Sequence, residues 1–298
     1  MKILVSGSTG LVGSALVPFL LTGGHQVARL VRSQPTAGGE VPWDPAAGRL
    51  EATNLEGLDA VVHLAGERIT GRWTAAKKAR IRSSRVQGTR LLAETLARLA
   101  RPPKTLVCAS AIGYYGHRGD ELLREQSLPG AGFLAEVCRE WEAAARPAAE
   151  KGIRVVQLRI GVVLSAAGGA LALMLTPFKL GLGGRVGTGQ QYMSWIALDD
   201  LAGIIQHALA NESLRGPVNA VAPRAITNRE FTKTLGRVLG RPTIFPMPAF
   251  AARLAFGQMA DELLLASARV EPTRLIASGY KFRTPELEAA LRHLLGKT

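Results

Sequence analysis

The stretch MKILVSGSTGLVG, residues 1–13, decides the fold of this chain. A short apolar strand over 2–6 runs into three glycines, and an amphipathic helix is predicted over 11–21. Glycines in such a turn allow the tight bend, let the backbone approach a pyrophosphate, and let helix and strand pack closely. The helix N-terminus offers unpaired N–H groups to the phosphates. The residues predicted to bind a dinucleotide here are Gly7, Thr9, Gly10, Leu11, Val12 and Gly13.

Strands and helices alternate over the first half of the chain, which is typical of an α/β fold with a doubly wound parallel sheet. The predicted strands are 2–6, 26–31, 60–64, 105–109 and 154–158; the predicted helices are 11–21, 74–100 and 133–150. A small hairpin is predicted over 41–50, with its turn around 45–48.

The alternation stops near residue 164, where glycine-rich segments and shorter helices begin. Residues 1–164 are therefore expected to form a dinucleotide-binding Rossmann core. Residues 165–298 are expected to form most of a smaller substrate-binding lobe, with 195–222 returning to the core.

The spacing G-x-x-G-x-x-G resembles the extended, epimerase-like branch of the short-chain dehydrogenase/reductase superfamily. Further motifs carry the same resemblance: DAVVHLAG (59–66), SAIGYYG (110–116), LRIGVVL (158–164) and WIALDDLAGII (195–205). The segments 71–85 and 133–145 resemble an atypical subgroup whose members are labelled NAD-dependent epimerase or cell-division inhibitor. The resemblance places Leu64, Ala65, Gly66, Arg85, Ala109, Ser110, Arg159 and Gly161 beside the cofactor.

The second strand ends in Val31, Arg32 and Ser33, without the acidic residue that selects NAD. Arg32 can pair with a 2′-phosphate through charge-assisted hydrogen bonds. NADP(H) is therefore the predicted cofactor, with Arg32 and Ser33 at the adenosine end. The alternative is that Arg32 is a surface charge in a turn.

Catalysis in the resembled family rests on a hydroxyl and a Y-x-x-x-K pair, in which lysine lowers the pKa of the tyrosine. No tyrosine here is followed by lysine four residues later, and the helix expected to carry the pair supplies Phe133 instead. Ala111 stands at the usual hydroxyl position, one residue after Ser110.

The replacements considered for the missing pair are Ser110 and Tyr115, then Glu67 just after the fourth predicted strand. Tyr114, Glu136 and Glu140 are weaker alternatives, and each candidate has an ordinary structural interpretation as packing, capping or a solvated charge. The 187–200 loop brings Tyr192, Met193 and Trp195 together, either at the substrate or in the core. His63 is expected to orient its neighbours through a hydrogen bond.

The composition argues against several classes of protein. The 298 residues are 47% hydrophobic and 20% charged, which fits a soluble globular protein that can bury a core. No apolar stretch is long enough for a membrane span, so no membrane partner is expected. Cys108 and Cys138 have no metal-type spacing; they are predicted to be buried thiols of a cytoplasmic protein, and no metal site is predicted.

The net charge is +14, and eight of the basic residues fall within 68–90, a stretch without acidic residues. Its cations are Arg68, Arg72, Lys77, Lys78, Arg80, Arg82, Arg85 and Arg90. The stretch is either a solvated helix face or a positive field that steers anionic ligands. Without interleaved aromatic residues or a reading module, no nucleic-acid partner is expected.

Two functions remain open from the sequence. One is an NADP(H)-dependent oxidoreductase or epimerase acting on a small anionic or nucleotide-linked substrate. The other is a non-catalytic NADP(H)-binding protein that senses redox state or acts in cell division. A homodimer is a further possibility.

Overall fold

The computed structural model describes residues 1–36 and 38–297. The strands are β1 (Lys2–Ser6), β2 (Gln26–Val31), β3 (Glu40–Asp44), β4 (Arg49–Leu50), β5 (Ala60–His63), β6 (Thr105–Ala111), β7 (Leu122–Leu123), β8 (Arg154–Ile160), β9 (Val162–Leu164), β10 (Tyr192–Met193), β11 (Trp195–Ala197), β12 (Gly216–Ala220), β13 (Ile226–Thr227) and β14 (Arg269–Val270). The helices are α1 (Leu11–Thr22), α2 (Ala75–Ala97), α3 (Phe133–Ala144), α4 (Arg146–Glu150), α5 (Gly169–Lys179), α6 (Leu198–Ala210), α7 (Asn228–Leu239), α8 (Ala249–Phe256), α9 (Thr273–Ala277) and α10 (Leu287–Leu294).

Eight strands form the central sheet in the order β12-β8-β6-β5-β1-β2-β3-β4. All its pairings are parallel except β3 with β4. Helices α1 and α6 cover one face and α2 and α4 the other, each with its own apolar core. This confirms the predicted doubly wound α/β sheet, and it brings the carboxyl ends of the strands to one edge.

One predicted helix is wrong in its length. The expected helix over 133–150 is divided into α3 and α4 at Ala145. Pro147 has no N–H to bond to the preceding turn, which favours a break at this point and suits its place in the first turn of α4. The predicted hairpin is confirmed, since Trp43 pairs with Leu50 in an antiparallel ladder, but β3 also extends the main sheet beside β2.

The C-terminal segments form a smaller lobe and also complete the sheet. β12 pairs with β8 at the sheet edge, while α5, α7 and α10 share a separate apolar core that includes Phe178, Phe231 and Leu291. The buried carboxylate of Asp200 accepts hydrogen bonds from the backbone N–H groups of Arg283 and Thr284, at 2.7 and 3.0 Å. Among the helices described, none is both long and apolar enough to cross a bilayer.

A buried hydrogen-bond group fixes the chain where β1 and β5 end. The hydroxyl of Ser6 lies 2.6 Å from His63 Nδ1 and accepts the N–H groups of Leu64 and Ala65 at 3.1 and 3.3 Å. Because those N–H groups occupy its lone pairs, the hydroxyl donates its own proton to Nδ1, and His63 carries its proton on Nε2. Ser6 therefore holds the loop after β5 at the edge of the sheet.

The burial of His63 makes the stability of the fold depend on pH. Burial lowers the pKa of His63 to about 4, against about 6.5 in an unfolded chain. Between these values the unfolded chain takes up a proton that the folded chain excludes, so the free energy of unfolding falls as the pH falls, by roughly 3 kcal/mol in total.

We predict that His63→Asn, which keeps an acceptor for Ser6, has a shallower fall in stability between about pH 6.5 and pH 4 than the parent. Denaturant unfolding at a series of pH values measures both slopes. The other histidines are common to both proteins and cancel in the comparison. Identical slopes would contradict a neutral, buried His63.

Candidate functional site

The glycine-rich turn is shaped by two close approaches. Gly7 has φ +68°, and a Cβ there would lie 2.8 Å from the backbone N of Ala65. A Cβ at Gly13 would lie 2.2 Å from the carbonyl oxygen of Gly7. Because neither position has room for a side chain, α1 and the loop after β5 both pack directly on the turn.

The start of α1 is open toward solvent. Its N-cap, Gly10, provides no side-chain cap, and its first turn contains no acidic residue. A Cβ at Gly10 would meet only the Gly7 carbonyl oxygen, at 3.3 Å. Thr9 is exposed, and Leu11 and Val12 are half-buried. The N-terminus of α1 therefore offers unpaired backbone N–H groups and the positive end of the helix dipole to an anion.

Two further predicted contacts lie at the end of β2. Arg32 and Ser33 directly follow the strand, and both are exposed. Within residues 1–36 and 38–297, no carboxylate forms an ion pair with Arg32. Its guanidinium is available to an anionic group at this edge of the sheet.

Arg85 covers the loop after β5 from helix α2. Its Nη1 donates to the carbonyl oxygens of Glu67 and Ile81, at 3.0 and 3.2 Å, and its guanidinium lies 5.0 Å from the centre of the Trp141 ring. A Cβ at Gly66 would be 3.3 Å from Arg85 Cζ. The predicted residues Leu64, Ala65, Gly66 and Arg85 are thus assembled in one place.

A buried ion pair occupies the ends of β6 and β8. Arg159 donates from Nε and Nη2 to the two carboxylate oxygens of Glu142, both at 2.8 Å, and Ser110 donates to Oε1 at 2.7 Å. Burial opposes the charge of Arg159, but the hydrogen bonds and charge of Glu142 outweigh it and raise the pKa of Arg159. The guanidinium also stacks 3.5 Å from the centre of the Tyr114 ring.

This arrangement bears on two expectations. Four of the five N–H groups of Arg159 are bonded to Glu142, Tyr115 and Glu125 inside the protein, which leaves Arg159 little hydrogen-bonding capacity for the cofactor contact that the resemblance implies. The Ser110 hydroxyl donates its hydrogen bond to Glu142. It can therefore accept a further hydrogen bond but cannot donate one to a substrate. Ala109 and Gly161 lie beside them, and a Cβ at Gly161 would be 2.7 Å from the carbonyl oxygen of Ser194.

Tyr115 is completely buried. Its hydroxyl lies 2.7 Å from Asn219 Oδ1 and 3.0 Å from the Arg124 carbonyl oxygen, and it accepts from Arg159 Nη1 at 3.0 Å. Burial raises its pKa. As placed, Tyr115 cannot reach a substrate, and the expectation that it serves as an acid is corrected to a structural role in this network.

Glu67 is the remaining candidate, and it is paired with a lysine. Its carboxylate accepts from Lys77 Nζ at 2.7 Å, and Arg80 Nε lies 3.7 Å away. The hydrogen bond from Lys77 lowers the pKa of Glu67, so the carboxyl is ionised near neutrality and is not itself an acid. Lys77 is only 16% exposed, and its ammonium lies next to the loop that carries several of the predicted cofactor contacts.

Phe133 opens helix α3 where the resembled family places tyrosine. Its ring packs against Trp73 at 5.4 Å, and Lys78 Nζ lies 5.5 Å from the ring centre. The N–H groups of Phe133 and Leu134 donate to the carboxylate of Glu262, at 3.1 and 2.8 Å. The C-terminal lobe therefore caps this helix.

Three of the eight cations of the basic stretch form ion pairs in the described part of the chain. Arg82 donates a hydrogen bond to Glu136 at 3.0 Å and forms an ion pair with Glu140 at 3.3 Å, so neither carboxylate is free of a cation. Lys77 and Arg80 share Glu67. The stretch is therefore neutralised only in part, and Arg72 and Lys78 are among its cations with no ion pair in the described residues.

The loop before β11 lines a cleft of about 400 Å³. Tyr192, Gln190 and Thr188 face it, together with His117 and Arg253 from other segments. Trp195 is buried and belongs to the lobe core. One part of the loop, with Tyr192, therefore lines the cleft, and another part, with Trp195, lies in the core.

Two important residues were missed in the sequence. Glu142 follows the buried Cys138 by four residues, which places both on the inward side of α3. This spacing is the one feature of the sequence that could have indicated a buried Glu142. Lys77 was counted only as part of the basic stretch, because its partner Glu67 lies across a loop. Both free cysteines are buried, as predicted, and burial raises the pKa of Cys108 to about 12.

Comparisons with known proteins agree with this geometry. The model of the NAD dependent epimerase/dehydratase family matches residues 3–220, and a domain of unknown function, DUF1731, matches 247–294. The epimerase family protein Mb2239 of Mycobacterium bovis is 44% identical over 97% of this chain and 96% of its own length. The human epimerase family protein SDR39U1 is 40% identical over 99% of this chain and 100% of its own.

A crystal structure of human SDR39U1 with NADPH superposes with a TM-score of 0.91 at 38% identity, covering the whole of both chains. The glycine turn, the strand edge and the lobe all fall within the matched regions. The chain belongs to the NAD-dependent epimerase/dehydratase family.

Proposed function

We propose that this chain is an NADP(H)-dependent oxidoreductase of a small anionic substrate. The observation that carries the proposal is the open N-terminus of α1, uncapped and free of acidic residues at the edge where the glycine turn packs. Such a terminus binds a pyrophosphate through backbone N–H groups and the helix dipole.

The cofactor contacts are assigned along this edge. Gly7, Gly10 and Gly13 would shape the pyrophosphate site, Arg32 and Ser33 would receive the 2′-phosphate, and the loop after β5 lies against the glycine turn beside it. The NADPH in the related human structure supports this choice. An unpaired Arg32 favours a phosphate over a free ribose hydroxyl.

The bound cofactor, when reduced, supplies hydride. A carbonyl substrate that accepts it also needs a proton at its oxygen, and Ser110, Tyr115 and Glu67 do not present one. We assign that proton to the Lys77 ammonium, which Glu67 holds in place at 2.7 Å. Loss of the proton leaves a neutral amine that solvent can reprotonate.

The substrate is assigned to small anions because of the cations near Phe133. Lys78 donates to the side-chain oxygen of Gln258 at 3.1 Å and has no carboxylate partner in the described part of the chain. Arg72, from the same stretch, has no ion pair in the described part of the chain. A carboxylate or phosphate on the substrate would find these charges beside the expected reaction site.

A second function, non-catalytic NADP(H) binding in a cytoplasmic regulatory protein, is favoured by one specific observation. Both hydroxyls predicted for catalysis are hydrogen-bonded inside the protein, and a phenylalanine opens α3. A protein that only senses the cofactor needs no proton donor. The two functions share the cofactor site and differ in turnover.

The cofactor assignment predicts a preference for NADPH. A charge-assisted contact contributes about 1.5–3 kcal/mol, so Arg32→Ala should weaken NADPH binding by on the order of tenfold to a hundredfold and leave NADH binding nearly unchanged. Fluorescence titration with both nucleotides measures this. Arg101→Ala, an exposed cation at the opposite edge of the sheet, is the control. Tighter NADH binding by the parent would refute the assignment.

The proton assignment predicts the effect of removing Lys77. With a carbonyl substrate found by screening with NADPH, Lys77→Met should lower kcat by on the order of a hundredfold or more and leave the NADPH Kd unchanged. Glu67→Gln should lower it less, because the ammonium remains.

Arg80→Met is the matched control, since it removes the more distant cation near Glu67. Full activity in Lys77→Met would show that the proton comes from elsewhere. Tight NADPH binding with no turnover in any screen would support the regulatory function.

A further inference from the structure

The C-terminal lobe exposes large apolar side chains on neighbouring segments. Two segments run side by side there: Met247 N–H donates to the Arg185 carbonyl oxygen at 2.8 Å, and Gly187 N–H donates to the Met247 carbonyl oxygen at 2.9 Å. Helix α8 follows directly. The exposed residues, called the apolar face below, are Leu180, Leu182, Ile244, Phe245, Phe250 and Leu254.

These side chains protrude from the surface. Phe250 is 71% exposed and Leu254, one helical turn further along α8, is 76% exposed. Residues that line a groove for a peptide or helix are shielded by its walls and expose a smaller fraction. Monomeric soluble proteins rarely leave so many large apolar groups together in water, so the surface indicates an interaction.

Positive charge predominates around the apolar face, and Asp261, just beyond its segments, is paired with Arg253 of α8 at 2.8 Å. Residues 165–198 and 231–260, which build it, contain no Asp or Glu. Lys179, Arg185, Lys233 and Arg241 are exposed, and none has a carboxylate partner in the residues that the structure describes. Two copies of this chain would bring like charges together at such a surface, which disfavours self-association through it.

We propose that the apolar face docks on an anionic lipid surface. Protruding Phe, Leu and Ile side chains would enter the boundary between headgroups and acyl chains, while the surrounding lysine and arginine residues contact anionic headgroups. The sequence-based expectation of no membrane partner rested on the lack of a spanning segment, which this mode of binding does not need.

The apolar face adjoins the 400 Å³ cleft, because Gly187, Ala249 and Arg253 line that cleft and belong to the same segments. Docking would therefore place the mouth of the cleft close to the lipid surface. The proposal does not depend on the cofactor assignment, since the face lies outside the residues that form the cofactor site.

Flotation with vesicles tests the proposal. At about 0.15 M salt the parent should bind vesicles of phosphatidylcholine with phosphatidylglycerol, and bind vesicles of phosphatidylcholine alone at least about tenfold more weakly. Phe250→Ser with Leu254→Ser should lower binding to the anionic vesicles by on the order of tenfold or more. Lys179→Glu with Arg241→Glu should do the same through charge.

Matched controls keep the result specific. Leu128→Ser removes an apolar side chain that is 75% exposed but lies in a loop outside the apolar face, and it should leave vesicle binding unchanged. Lys151→Glu, after α4, is the charge control. Unchanged NADPH affinity in every variant verifies the fold.

Three results would overturn the proposal. One is the absence of vesicle binding by the parent, and another is equal binding to neutral and anionic vesicles. The third is a dimer, found by light scattering, that the Phe250 and Leu254 substitutions dissociate, because the face would then be an interface between copies.

Discussion

The packing of helix α1 on the turn before it is the constraint on which the site depends. A single carbon atom added at Gly13 would lie 2.2 Å from the Gly7 carbonyl oxygen, well inside van der Waals contact. The same turn excludes a side chain at Gly7, where the loop after β5 arrives. Ser6 then secures that loop by accepting two of its N–H groups. The glycine turn, helix α1 and the loop after β5 thus meet at one edge of the sheet because no side chains separate them.

A second constraint is the buried pair of Arg159 and Glu142. Charges taken out of water are tolerated only when each finds hydrogen-bond partners, and removing one partner typically costs about 3–5 kcal/mol. Here Ser110 and Tyr115 supply those partners. The hydroxyls at the ends of the strands thereby stabilise the fold, and the proton donor that we propose, Lys77, lies outside this buried group.

Local patterns in the sequence predicted the fold well. The glycine spacing, the apolar strands and the alternation with helices each depend on residues close together in the chain, and the bounds of β1 and β2 follow from them. Pro147 ended a predicted helix early, although its missing N–H was visible in the sequence. The candidate site was harder to predict from the sequence. That Arg159 pairs with Glu142, and Tyr115 with Asn219, depends on contacts between distant segments, which no local spacing encodes.

The central claim is that the open end of α1 holds the pyrophosphate of NADP(H), and Gly10→Val tests it most directly. Gly10 has extended backbone angles that valine can adopt, and its added Cβ would meet only the Gly7 carbonyl oxygen, at 3.3 Å. The variant should therefore fold, while its side chain fills the space that the phosphates need. Titration with NADPH should show affinity lowered by on the order of a hundredfold or more, with the thermal midpoint nearly unchanged. A folded Gly10→Val protein that binds NADPH as tightly as the parent would contradict the account.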